Sequence, residues 1–157
     1  MSEILFNESL IINLSDLNTN NEALAVIADH LYENGHVKEG YKNAILKREA
    51  EFPTGLFTGG LNVAIPHADV NFVNEASIAV GILKKPIKFR AMDEPENEID
   101  VSLIIMLALK EAHGHIQMLQ KVVNLIKNQD SIKKIISCND VNKVNQIISE
   151  YLLDEER

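Results

Sequence analysis

The chain has one cysteine, no tryptophan, four prolines and seven glycines among its 157 residues. A single cysteine, Cys138, excludes an intramolecular disulfide and any cysteine-based zinc cluster. It sits in Ile135-Ile136-Ser137-Cys138-Asn139-Asp140, near a helix boundary, and is expected to pack as a small apolar group. Three tyrosines and five phenylalanines are the only aromatics, which leaves little for stacking on a sugar. Basic residues number fifteen against twenty-three acidic ones, a net charge of −8. The clustered basic face that a nucleic acid requires is therefore not expected. An acidic surface suits a partner with a basic docking face, and it also serves solubility. The longest apolar run, Val101 to Leu109, is strand-sized and contains Ser102, so no membrane span is read. Met1-Ser2-Glu3-Ile4 has no basic region leading into an apolar one, so no signal peptide is read and a cytoplasmic protein is expected.

Two large enzyme classes are also missing. No Gly-x-Ser-x-Gly elbow occurs to expose a serine nucleophile. Gly55, Gly59 and Gly60 are not followed by the Lys-Ser/Thr of a phosphate-cradling loop, so no ATP pocket is expected.

What is present is the balance of a globular protein, with 46% hydrophobic and 24% charged residues. The length fits one domain spanning residues 1–157. Ile4 to Phe6 and Leu10 to Leu14 are short apolar pieces suited to edge or connecting strands. Asn20-Asn21-Glu22 reads as a helix start, with Ala23, Ile27 and Leu31 on one face and Asn34-Gly35 as its end. A second helix is predicted from about Lys38 to Glu51, with Tyr41, Ile45 and Leu46 inward, stopped by Phe52-Pro53. Ala76 to Leu83 and Ile99 to Leu109 read as strands buried on both faces, since neither alternates cleanly. The charged stretch Arg90 to Asn97 between them reads as a loop. From about His113 the pattern turns helical through Ile116, Leu119, Val123 and Ile126. Two short helices should start at Asp130-Ser131 and Asn139-Asp140, the first carrying Ile132 and Ile136, the second Val144, Ile147 and Ile148. This order gives an α/β fold of three layers, a mixed sheet with helices on both faces.

The most informative segment is Gly59-Gly60-Leu61-Asn62-Val63-Ala64-Ile65-Pro66-His67-Ala68-Asp69. Two glycines make a turn, a short apolar run makes a buried strand, and a proline with no N–H ends the ladder at Ile65. His67 then stands at a strand end, where a sheet presents functional groups to a crevice. Read alone, it is either a working imidazole or a surface histidine with no role.

Arg48-Glu49-Ala50-Glu51-Phe52-Pro53-Thr54-Gly55-Leu56, followed by Val63-Ala64-Ile65-Pro66-His67, resembles the phosphorylation-site signature of the enzyme IIA domains of the bacterial sugar phosphotransferase system. The match is to the mannitol/fructose superfamily, and Phe-Pro-Thr-Gly-Leu looks most like its galactitol-type branch. One position departs: Gly59 stands where the family often has an aliphatic residue.

The resemblance implies a phosphocarrier that takes a phosphoryl group from the carrier protein HPr onto His67. It would pass the group to a cysteine of a cognate EIIB protein, which serves a membrane-embedded EIIC transporter. Histidine fits, because its ordinary pKa of about 6.5 leaves much of it neutral and its phosphorylated nitrogen leaves readily. The loose transition state asks for donors around the equatorial oxygens, which Arg48, in the last helical turn, is placed to supply. Arg48 otherwise reads as an exposed helix residue beside Glu49. His115, in Ala112-His113-Gly114-His115-Ile116-Gln117, matches a second active-site histidine of mannitol and fructose relatives. His113 reads as bland, and Cys138 lacks the preceding strand and phosphate loop of an EIIB nucleophile.

A competing reading is a zinc site of His67, His115 and Asp69 with an open position. No His-Glu-x-x-His or cysteine ligand pair supports it, and on a helix His113 and His115 point about 200° apart. No metal and no cofactor is expected. A further alternative is a regulatory module that uses the same histidine to report phosphorylation state to a transcription or kinase partner.

Overall fold

The computed structural model describes residues 4–153, and for Ala112 and His113 the backbone alone. Helix α1 (Asn20–Glu33) begins on a reciprocal cap: the Thr19 hydroxyl accepts the Glu22 N–H at 3.2 Å, and the Glu22 carboxylate accepts the Thr19 N–H at 3.0 Å. Ala23, Ile27 and Leu31 are buried as expected, and Leu24 and Ala28 widen their stripe. Helix α2 (Tyr41–Glu51) starts later than the predicted Lys38, because Gly40 at its N-cap has φ +95°, a left-handed conformation that ends the preceding turn. Tyr41 and Ile45 are buried, while Leu46 is half-buried against the core.

The strands β1 (Ile11–Leu14), β2 (Gly55–Leu56), β3 (Asn62–Ala64), β4 (Ser77–Arg90) and β5 (Glu98–Ala108) form one sheet in the order β1-β4-β5-β3-β2. It is mixed: β1 runs parallel to β4, β4 antiparallel to β5, β5 parallel to β3, and β3 antiparallel to β2. Of Ile4 to Phe6, Leu5 alone pairs, in an isolated bridge to Ser77. Residues Glu8–Leu10 form a 3-10 turn, so β1 starts at Ile11.

Strand β4 does not stop at Leu83. Its register with β5 jumps from Ile82↔Leu103 to Ile87↔Val101, so Lys84, Lys85 and Pro86 bulge out and the ladder resumes to Arg90. A proline tolerated at a bulge lets one long strand masquerade as a strand plus a loop. The buried halves of β4 and β5, with Ile78, Leu103, Ile104 and Ile105 fully enclosed, form the centre of the core.

The last three helices are α3 (Ala112–Lys127), α4 (Gln129–Ser137) and α5 (Val141–Leu152). Asn128 caps α4 by accepting the Ser131 N–H, and Asp140 caps α5 by accepting the Asn142 N–H. The inward stripe of α3 is out of phase with the sequence reading. Met118, Val122, Leu125 and Ile126 are buried, while Ile116 is 59% exposed and Leu119 and Val123 are half-buried. In α4 Ile132 and Ile135 are buried and Ile136 only partly; in α5 Val144, Ile148 and Leu152 are buried and Ile147 partly. Cys138 is half-buried against the core. Helices α1 and α2 pack on each other, α3, α4 and α5 pack together, and α1 and α4 both reach β4, so helical layers cover both sheet faces. Among the described residues, no helix is long and apolar enough to cross a membrane.

The loop into β3 is held by polar bonds. Gly59 takes φ +83°, and a Cβ on Gly60 would meet the Gln129 Oε1 at 2.6 Å. That Gln129 oxygen accepts the Leu61 N–H at 2.7 Å, tying the loop to α4. Asn62, at 6% exposure, accepts the Thr58 N–H at 2.8 Å through Oδ1 and donates to the Asp100 carbonyl at 2.8 Å through Nδ2. Asn62→Ala strips partners from two backbone groups and should lower unfolding stability by about 1–3 kcal/mol in urea titration. A loss within a few tenths of a kcal/mol would mean that water replaces the amide.

Candidate functional site

Strand β3 leads straight into the site. The expectation that pairing stops at Ile65 does not hold. Pro66 has no N–H, but its carbonyl accepts the Leu107 N–H at 3.0 Å, and His67 bridges to Leu107 in parallel register. A proline ends donation to a ladder without ending acceptance from it. His67 is thereby fixed beside the end of β5 and left half-exposed.

The His67 ring has a defined proton. Its Nδ1 lies 3.1 Å from the Ile65 carbonyl oxygen, which can only accept, so Nδ1 carries the hydrogen and Nε2 keeps its lone pair. The His115 ring, in the first turn of α3, lies 4.8 Å away between centroids at an interplanar angle of 43°. Its Nε2 is buried and has no hydrogen-bond partner among the described residues.

Arg48 occupies the last turn of α2, as predicted, with its guanidinium 5.3 Å from the centroid of the Phe52 ring. Among the described residues the ion pairs are Lys42–Asp29 and Lys88–Asp100, His36 Nδ1 lies 2.8 Å from the Glu75 carboxylate, and Arg48 joins none of these contacts. Its charge is felt at both imidazoles. His67 is held below its ordinary pKa of 6.5 by burial, an effect opposed by the Ile65 hydrogen bond and reinforced by Arg48. His115 is pushed down to about 4, first by burial and then by the charges of His67 and Arg48. Both rings are neutral at neutral pH.

The geometry brings together His67, Arg48 and His115. Asp69 is occupied elsewhere: its Oδ1 accepts the Asn71 N–H at 2.8 Å and caps the 3-10 turn Val70–Phe72. Among the described residues, no group of three His, Cys, Asp or Glu side chains is placed to hold a metal ion. The His113 side chain lies outside the described residues.

Sequence reasoning missed Glu49, which was read only as a neighbour of Arg48. At 5% exposure it points inward and accepts two hydrogen bonds from Thr54, from the N–H and the hydroxyl, each at 2.8 Å. The spacing Tyr41, Ile45, Glu49 was the available signal, because residues four apart share a helix face. Phe52, at 61% exposure, was likewise read as a helix stop and not as the ring beneath Arg48.

Comparison with known proteins identifies the family and the fold. The sequence profile of the family described as "Phosphoenolpyruvate-dependent sugar phosphotransferase system, EIIA 2" matches residues 4–151. The chain is 26% identical over 137 residues to the PTS system galactitol-specific EIIA component of Escherichia coli K12, covering 86% of this chain and 89% of that protein. It is 36% identical over 84 residues to the transcriptional regulator ManR of Bacillus subtilis, covering 54% of this chain and 11% of that protein. A solved complex of enzyme IIAMTL with phosphorylated enzyme IIBMTL from Escherichia coli contains a chain of the same fold, with TM-score 0.79 at 19% identity, covering 94% of this chain and 99% of that one. The chain belongs to the EIIA 2 family of the sugar phosphotransferase system.

The two lowered pKa values make a test with a fixed sign. The unfolded chain binds more protons than the folded one between about 4 and the ordinary 6.5. The histidine contribution to stability is therefore complete above pH 6.5 and is lost as pH falls toward 4. Ring C–H resonances followed by NMR should show His115 titrating at about 4 and His67 below 6.5. A His115 midpoint at or above 6.5 would rule out the desolvated pair.

Proposed function

We propose that the chain is a phosphocarrier of the sugar phosphotransferase system, working in the cytoplasm as one EIIA unit over residues 1–157. It takes a phosphoryl group from phospho-HPr on His67 and passes it to a cysteine of a cognate EIIB protein, feeding an EIIC transporter for galactitol or a related sugar alcohol. The observation that carries this reading is the His67 tautomer, with Nδ1–H committed to Ile65 and the Nε2 lone pair free.

The chemistry follows from that proton. The Nε2 lone pair attacks phosphorus as the P–N bond of the donor histidine breaks, and that bonding pair returns to the donor ring. Phosphorylated on Nε2 and still protonated on Nδ1, the His67 ring becomes cationic, and the Ile65 carbonyl stabilises that charge. Reversal toward the EIIB thiolate breaks the same P–N bond and returns the pair to Nε2. Arg48, free of carboxylate partners among the described residues, is available to the equatorial oxygens in both steps. His115 lends a second imidazole to the phosphoryl group, where its Nε2, without a hydrogen-bond partner among the described residues, gains a neighbour. A lowered His67 pKa keeps the nucleophile neutral where an imidazolium could not attack.

The likeness to ManR favours a second reading, in which the same histidine reports phosphorylation state to a regulatory partner. Its chemistry at His67 is identical, and only the acceptor of the phosphoryl group distinguishes the two.

Incubation with phosphoenolpyruvate, enzyme I and HPr should add one acid-labile, base-stable phosphoryl group by intact mass, and His67→Ala should add none. A mass shift that survives in the variant, or a label on serine, defeats the assignment. Arg48→Ala should slow uptake by about 10²-fold, as loss of one transition-state donor does. Arg48→Lys should recover only part of it for want of the planar fork. Unchanged transfer in Arg48→Ala would return the residue to an ordinary exposed helix position.

A further inference from the structure

The Ile65 carbonyl that sets the His67 proton is held from both sides. Downstream, the Pro66 carbonyl accepts the Leu107 N–H at 3.0 Å. Upstream, the Ile65 N–H donates to the Thr54 carbonyl at 3.2 Å. Thr54 itself is 2% exposed, and its N–H and hydroxyl both end on the Glu49 carboxylate at 2.8 Å. A path of short polar contacts thus runs from the last turn of α2 through Thr54 and Ile65 to Nδ1 of His67.

A buried carboxylate is an expensive anchor. Burial raises the Glu49 pKa, and the two Thr54 hydrogen bonds oppose that shift. A helix end needs no such group, since exposed side chains or water satisfy termini elsewhere. The same turn also carries Arg48, so one carboxylate fixes the backbone on which the guanidinium stands and the strand on which the imidazole stands.

We propose that Glu49 is a positioning residue for His67: through Thr54 it holds the Ile65 peptide that keeps the imidazole in its Nδ1–H tautomer with Nε2 presented for phosphoryl transfer. The inference rests on the phosphocarrier reading for its consequence in rate, and on geometry alone for the tautomer. Released from Ile65, an imidazole redistributes its proton between the two nitrogens, and the fraction with a free Nε2 falls.

The test uses the full chain and two readouts. Long-range ¹H–¹⁵N correlation spectra of the unphosphorylated protein report the His67 tautomer, and the initial rate of phosphorylation by phospho-HPr reports its use. Glu49→Gln places an amide against two donors and should shift His67 from Nδ1–H toward a mixture, with the rate down tenfold to about a hundredfold. Thr54→Val loses the hydroxyl bond and keeps the N–H, so it should shift both readouts in the same direction by less. Thr54→Ser keeps both donors and should behave as the wild type. Should Glu49→Gln fail to fold, the Thr54 pair decides the matter. A folded Glu49→Gln or Thr54→Val protein with the wild-type tautomer overturns the proposal and leaves Glu49 a helix-end anchor. So does a shifted tautomer with an unchanged rate. A wild-type protein that takes no phosphoryl group would instead sink the phosphocarrier reading, and the tautomer spectra would still decide what Glu49 holds.

Discussion

A neutral imidazole can carry its proton on either nitrogen, and in this chain the choice is made by the Ile65 carbonyl, 3.1 Å from Nδ1 of His67. Much of the architecture serves to keep that oxygen in place. Strand β3 is only Asn62–Ala64, too short to be stiff alone, and it is flanked by β5 on one side and β2 on the other. Pro66 removes one rotatable freedom and one donor at the point where the chain must turn out of the sheet. Its carbonyl nevertheless stays in the ladder. The ring that follows is oriented by backbone on both sides and not by a surface side chain that could swing away.

The electrostatics of the site follow from the same enclosure. Two imidazoles 4.8 Å apart and a nearby guanidinium would repel one another if all were charged. Burial settles the conflict by keeping both rings neutral and leaving Arg48 the single cation of the trio. In a protein of net charge −8, Arg48 has no carboxylate partner among the described residues. It is held instead over an aromatic face, which attracts a cation without neutralising it. A charge kept that way remains available to an incoming anion.

Much of this was legible in the sequence, because local rules and tertiary context agreed. The Ile65-Pro66-His67 order announces a strand end, and Phe52-Pro53 announces the helix end that carries Arg48. The readings that slipped did so where two signals competed. Lys84-Lys85-Pro86 has the composition of a loop, yet the ladder on either side tolerates it as a bulge. The apolar stripe of α3 is broad enough for two phases, and packing chose Met118, Val122 and Leu125 over Ile116. Glu49 was hidden by its chemistry: a carboxylate reads as surface until its two donors, five residues on, are seen to face it.

The misplaced phase of α3 has a consequence at the surface. Ile116 and Phe52 are 59% and 61% exposed, each adjacent in sequence or contact to a site residue, His115 and Arg48 respectively. Neither residue is needed to fill the core, which closes without them. Exposed apolar side chains are the kind of surface that a protein interface buries in its core. Under the phosphocarrier function proposed above, the site is covered twice, by a donor and then by an acceptor, and each cover must come off again. Such a site cannot afford a deep pocket or a tight resident ligand. On that reading a part-exposed imidazole, a guanidinium with no carboxylate partner among the described residues and two exposed apolar side chains suit both visits, because the phosphoryl group brings the negative charge that Arg48 answers.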